Sequence, residues 1–259
     1  MIANYHTHTW RCNHAQPGER AYIERAIEGG YQILGFSDHS PYPFPKDHDS
    51  WFRMDVDQLE GYVTTLRALQ KEYADDIEIH IGLEAEYYPD YFDALQDLLK
   101  TYEIEYLLLG QHYLYNEIDA PYNGAKTYSK KRLKDYCDQV IAAMETGFYT
   151  YFAHPDLIHF KGSKKVYQEE LYRVCLRAKE LDIPLEINFL GLMEKRNYPA
   201  GKFWEIAGQV GNDVILGCDA HQAKYVYAPD AEEIAKKKFI DKYGLHLIDR
   251  IPSLRKPYL

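Results

Sequence analysis

Two histidines one residue apart, His6 and His8, follow a short apolar run at the start of the chain. Side chains of a strand alternate faces, so residues two apart point the same way and both imidazoles aim at one place. His14 comes after a short polar turn, near enough in sequence to fold back over that place. A lone His-x-His is more often a hydrogen-bonded strand end than a metal site, but this pattern recurs. Ser37-Asp38-His39, Glu84-Ala85-Glu86, Gln111-His112, His154-Pro155-Asp156, Asn188 and Asp219-Ala220-His221 each follow another apolar run. Of the eleven histidines, seven occupy such positions: His6, His8, His14, His39, His112, His154 and His221. Imidazole and carboxylate donors suit zinc, manganese or iron, and a set without thiolate describes an open, catalytic site rather than a structural zinc knot. Seven imidazoles with Glu84 and Asp219 exceed what one tetrahedral ion takes, so a cluster is expected. Cys12 and Cys218 neighbour these residues and read as small packing side chains.

The elements that must position these groups alternate in kind. Strand-like runs at 1–5, 32–36, 77–83, 105–109, 150–153, 184–187 and 213–217 alternate with helical patterns at 57–73, 90–101, 129–146, 167–181, 201–210 and 229–242. A first helix opens at Pro17-Gly18 and ends at Gly29-Gly30. Such alternation signals βα units and a parallel sheet. Six of the seven strands end in a His, Glu or Asp, and in a parallel barrel all the C-terminal ends open on one face. An open doubly wound sheet would spread those ends along a line and keep His6 away from His221. The expectation is therefore a distorted, TIM-like (β/α)7 barrel spanning residues 1–259 as a single domain. The proline-rich loop at 41–45 reads equally as a lid or as a rigid surface loop.

Composition narrows the partners. The formal charge of -10 opposes binding to nucleic acid or anionic lipid, so an anionic substrate must be met by a local cationic site. Four cysteines without CxxC spacing and an N-terminus without an apolar signal run point to a cytoplasmic protein. No apolar run approaches the roughly 20 residues that span a bilayer.

Taken together, His6-Thr-His8 with His14, Ser37-Asp38-His39, Gly82-Leu-Glu84, Gln111-His112, His154-Pro155 and Asp219-Ala-His221 resemble the motif set of the polymerase and histidinol phosphatase (PHP) superfamily. The phrases HTHTWRCNHA and ILGFSDHSPYP resemble its histidinol-phosphatase branch. The resemblance runs over essentially the whole chain and implies three divalent ions. One would be held by His6, His8, Glu84 and Asp219, a second by Glu84 as bridge with His112 and His154, and a third by His14, His39 and His221. Asp219, His221 and Asp38 would count as catalytic, Asp38 through support of a bound imidazole.

Three divalent ions with Glu84, Asp219 and a bridging hydroxide leave a local charge of roughly +3, which suits a phosphate dianion. The expected reaction is hydrolysis of L-histidinol phosphate to L-histidinol and phosphate in histidine biosynthesis, by attack of the metal-bridging hydroxide. Phosphotyrosine or a nucleotide phosphoester in the same fold is the alternative, and a non-catalytic metal-dependent regulator is a third reading. Arg196 and Lys161 are candidates for holding phosphate, Glu117 for the substrate ammonium and Asn188 for orienting a ligand. Each of these four also reads as ordinary surface or core polarity.

Overall fold

The structure, a computed structural model, describes residues 1–258 apart from Pro17 and Lys46. Eight parallel strands form one sheet in sequence order: β1 (Ala3–Asn4), β2 (Ile33–His39), β3 (Glu78–Ala85), β4 (Tyr106–Leu109), β5 (Tyr149–Phe152), β6 (Leu185–Asn188), β7 (Asp213–Gly217) and β8 (His246–Leu247). Between them run α1 (Glu19–Glu28), α2 (Leu59–Glu72), α3 (Phe92–Thr101), α4 (Lys130–Glu145), α5 (Lys164–Glu180), α6 (Phe189–Met193), α7 (Gly201–Val210) and α8 (Pro229–Ala235). Strands β2, β4, β5 and β6 are buried at every residue, because helices cover one face and the curled interior the other.

Seven strands fall where the apolar runs place them, and the fold is the expected TIM-like α/β barrel with one strand more. The eighth, β8, pairs only through Asp213↔His246 and Val214↔Leu247, and two residues leave too little periodicity to be read. The expected helix start at Pro17 lies outside the described residues; α1 itself is capped by Gly18 and begins at Glu19. Helix α6 was not expected: the Asn188 side chain accepts from the Gly191 amide and turns β6 directly into a helix. The 229–242 pattern is α8 followed by a π-helical turn, Lys236–Ile240, and a last helical turn.

Closure is confined to the end that matters for chemistry. Past the last residues of β1 and β7, Thr7 and Ala220 form a parallel bridge, with His8 N donating to Ala220 O at 3.1 Å and Ala220 N to His6 O at 3.3 Å. His6, His8, Asp219 and His221 are thereby brought side by side. At the opposite end the C-terminal tail crosses the sheet: Ile251 N donates to Tyr5 Oη at 3.2 Å and Arg255 N to Thr150 Oγ1 at 3.3 Å.

The core has two parts. The larger lies between strands and helices, and a smaller one fills the inside of the curl with Ala3, Tyr5, Ile33, Tyr106, Leu108, Tyr151, Ala153, Ile215 and Ile251. Tyrosines carry much of this packing, and their hydroxyls bond backbone that would otherwise be buried unpaired. Tyr106 Oη donates to Tyr5 O at 2.7 Å, Tyr62 Oη to Gly82 O at 2.8 Å, and both Tyr42 and Tyr149 to Glu86 O at 2.6 and 3.0 Å. Gly82 admits the Tyr106 ring at a distance that no Cβ would allow. Among the described residues no helix is long and apolar enough to cross a membrane.

Candidate metal centre

The strand ends converge on the carboxylate of Glu84. Its Oε1 lies 2.8 Å from His154 Nε2 and 3.6 Å from His112 Nε2; its Oε2 lies 3.1 Å from His39 Nδ1, 3.5 Å from His6 Nε2 and 3.6 Å from His8 Nε2. Asp219 Oδ1 is 3.0 Å from His8 Nε2 and 3.6 Å from His6 Nε2. Gly110 lies beside Glu84, and a Cβ there would collide with its carboxylate.

Three donor groupings follow from these positions. His6, His8 and Asp219 form one, Glu84 with His154 and His6 another, and His14, His39 and His221 a third, each with ligating atoms within 4.8 Å of one another. His8, His39 and Glu84 form a further set that joins the first and third groups. The nine residues expected as ligands are thus gathered in one place.

The donor set fits metal ions. His6 Nε2, His8 Nε2, His39 Nδ1, Glu84 Oε2 and His221 Nε2 are buried and lack a hydrogen-bond partner. Buried polar atoms are nearly always paired, so several orphans turned toward one point mark the place of a cation. Burial alone would raise Glu84, but His112, His6 and His39 hold it well below the usual carboxylate range. Asp219 is likewise raised by burial and lowered further by His6 and His8. Burial holds His39 and His221 well below the usual imidazole range, which keeps their lone pairs available. Cys12 Sγ also lies near His8 and His221, yet burial pushes this thiol up to about 11 and it donates to Thr9 O. It stays a packing residue, and all four cysteines are free and buried.

Behind the ligand candidates stands a second layer of carboxylates. Glu186 Oε1 accepts from His6 Nδ1 at 2.7 Å, Asp38 Oδ1 faces His8 Nδ1 at 3.3 Å and Glu86 Oε1 accepts from His112 Nδ1 at 2.9 Å. An ionised carboxylate only accepts, so each fixes the ring proton on Nδ1 and leaves Nε2 to face the centre. Asp38 therefore supports His8 and does not itself enter the cavity, its other oxygen taking the Thr9 amide at 3.1 Å. Asn188 donates to Glu186 Oε2 at 2.8 Å and to Asp219 Oδ2 at 3.1 Å, so what it orients is a pair of carboxylates. His154 and Asp219 have φ of 31° and 49°, a left-handed conformation that costs a non-glycine residue about 1–2 kcal/mol and is common where function holds a side chain in place.

The centre opens into a cavity of about 710 Å³ bounded by Trp51, Tyr113, Tyr122, Arg196 and Tyr198. Arg196 is the one expected substrate residue on this wall; it pairs with Glu194 at 2.7 Å and donates to Tyr198 Oη at 3.0 Å. Lys161 is exposed on the loop after β5 and is not part of the lining. Glu117 is also absent from the lining, because Arg53 Nε bonds its Oε2 at 2.7 Å and His48 its Oε1 at 2.9 Å. Its charge is already met, so the expected role toward a substrate ammonium has no support in its position.

Sequence reasoning missed Arg53, Glu86 and Glu186. A charged residue inside a wholly buried strand was a usable signal for Glu186, and Glu86, two residues past Glu84 and just beyond the end of β3, follows the same alternation. Arg53 carried no signal: it sits in an irregular segment, buried under the Phe52 ring at 4.3 Å and reaching Glu86 at 3.1 Å.

Known proteins share both the sequence pattern and the fold. The PHP domain family matches residues 4–189. A probable histidinol-phosphatase of Deinococcus radiodurans is 29% identical over 231 residues, covering 85% of this chain and 86% of its own length. The histidinol-phosphatase of Bacillus subtilis is 26% identical over 260 residues, covering 87% of this chain and 96% of its own. Among solved structures, the histidinol phosphate phosphatase of Lactococcus lactis, complexed with zinc, L-histidinol and phosphate, has the same fold, with a TM-score of 0.74 at 20% identity over 95% of either chain.

Proposed function

The chain belongs to the PHP domain family, and we propose that it is a metal-dependent phosphomonoesterase converting L-histidinol phosphate to L-histidinol and phosphate in histidine biosynthesis. The observation that carries this reading is the set of five histidine nitrogens facing one buried carboxylate, Glu84, with three of those rings, His6, His8 and His112, met at Nδ1 by further carboxylates.

In this reading His6, His8, Glu84 and Asp219 hold one ion, Glu84, His112 and His154 a second, and His14, His39 and His221 a third. Divalent ions so held supply Lewis acidity to the phosphoryl oxygens and to the attacking water. Everything else falls to the chain. Glu186, Asp38 and Glu86 orient the imidazoles; Asn188 keeps Asp219 turned inward; Tyr122, Tyr198 and Trp51 wall the cavity.

The structure also changes the electrostatics expected from sequence. Asp38, Glu86 and Glu186 bring three more buried carboxylates to the centre, so the roughly +3 excess falls toward about zero. Arg53 offsets no more than Glu117, which it also binds. Phosphate capture then leans on Arg196, whose side chain is 38% exposed on the cavity wall and would exchange its pairing with Glu194 for the phosphate. Arg196→Ala should lower kcat/KM for L-histidinol phosphate about tenfold, chiefly through KM, in line with one lost charge-assisted contact. Metal content by elemental analysis should stay at the wild-type level. An unaltered kcat/KM would return Arg196 to the ordinary surface.

The partner in this account is a small phosphoester, since a net charge of -10 disfavours nucleic acid, and the free cysteines agree with a cytoplasmic setting. The function is tested by metal dependence: chelation should abolish phosphate release from L-histidinol phosphate, and resupplied zinc, manganese or iron should restore it. Turnover indifferent to chelation would refute it.

A further inference from the structure

The cavity has a second kind of wall that the phosphate chemistry leaves unused. Rings succeed one another along it: Trp51 to Phe52 at 5.4 Å between centroids, Phe52 to Tyr113 at 5.7 Å, and Tyr113 to Tyr122 at 5.8 Å. Phe52 stands edge-on to His39 and His112, at 5.1 and 6.0 Å, which fixes this arc against the metal centre. Its base is rigid, because buried Arg53 under Phe52 is bonded to Ser40 O, Glu86 and Glu117. Trp51, at the outer end, differs from the rest: it is 71% exposed, lines the cavity and lies 6.0 Å from the His14 ring.

A large exposed indole beside an otherwise packed aromatic arc offers a free π-face. Arg196 and the cluster are the groups that would take the phosphate, and Trp51, on the wall beside His14, is left to face the group carried by the leaving alcohol. A flat heteroaromatic or cationic ring gains most from that contact. We propose that Trp51, held in place by Phe52 and Arg53, is the specificity-determining residue that stacks on the imidazole of the substrate. The inference rests on the histidinol phosphate reading and goes beyond it in naming what selects the leaving group.

The test combines binding with kinetics. L-Histidinol titrated into the wild-type protein should quench tryptophan fluorescence. In Trp51→Phe that quenching should be lost, because Trp10 lies against Arg11 and Trp204 is buried in the core. The ratio of kcat/KM for L-histidinol phosphate to that for phosphoethanolamine, which keeps phosphate and ammonium but lacks the ring, should fall about tenfold in Trp51→Ala. Trp51→Phe should hold that ratio within about threefold of wild type, since a benzene face still stacks. Quenching that survives in Trp51→Phe, or a ratio unmoved in Trp51→Ala, would overturn the assignment while leaving the phosphatase reading intact. A wild-type protein that hydrolyses phosphoethanolamine but ignores L-histidinol phosphate would overturn the substrate reading itself, and this inference with it.

Discussion

Glu84→Gln should reduce phosphate release about a thousandfold and lower the metal content of the purified protein in the same step. Both oxygens of Glu84 face histidine nitrogens, at 2.8 Å for His154 and 3.1 Å for His39, and the side chain is buried. Glutamine keeps the shape but removes the charge, and its NH2 offers no lone pair of its own while tying up the histidine lone pairs that a metal needs. Removing one partner from a buried charged network costs about 3–5 kcal/mol, which is roughly two to four orders of magnitude in rate if the loss is felt in the transition state. Full metal occupancy by elemental analysis together with kcat within tenfold of wild type would remove Glu84 from the centre.

The second large effect belongs to a residue that touches no substrate. Glu186 is buried and satisfies four groups at once: His6 Nδ1 at 2.7 Å, Tyr151 Oη at 3.2 Å, the His154 amide at 3.1 Å and Asn188 Nδ2 at 2.8 Å. Gly217 leaves the space for it, since a Cβ there would overlap its carboxylate. Glu186→Gln should lower kcat about 10- to 100-fold, the range seen when the carboxylate behind a ligating histidine is lost. KM should change little, because Arg196 and the cavity wall are untouched, and metal affinity measured by competition with a chelator should weaken by a similar factor. A purely structural role would instead lower thermal stability and leave kcat and metal affinity of the folded fraction alone.

Six of the nine ligand candidates were legible because they sit where an apolar run stops. His6, His39, Glu84, His112, His154 and Asp219 all follow a buried stretch, and a parallel sheet turns that one-dimensional punctuation into a single site. What orients them was less legible. Asp38 stood beside His39 in sequence, yet it serves His8, across the β1 and β2 ends. Glu117 lies close to His112 in sequence, but Arg53 draws it away into an ion pair that no spacing rule anticipates. Lys161 shows the same limit: a loop that starts at the centre need not keep its basic residues there. Strand β8 escaped because its two residues owe their place to the edge of β7 and not to any pattern of their own. Three of the chain's 25 tyrosines, Tyr5, Tyr106 and Tyr151, fill the curl, and Tyr106 and Tyr42 satisfy buried backbone carbonyls, a use that no local pattern announces.

The most direct measurement is phosphate release from L-histidinol phosphate, set beside phosphotyrosine and a generic aryl phosphate, on metal-stripped protein resupplied separately with zinc, manganese or iron. Turnover should be absent without metal and should show a clear kcat/KM preference for L-histidinol phosphate with at least one of the three ions. Comparable slow turnover of all three esters would contradict the substrate, and no turnover with metal bound would contradict the phosphatase itself.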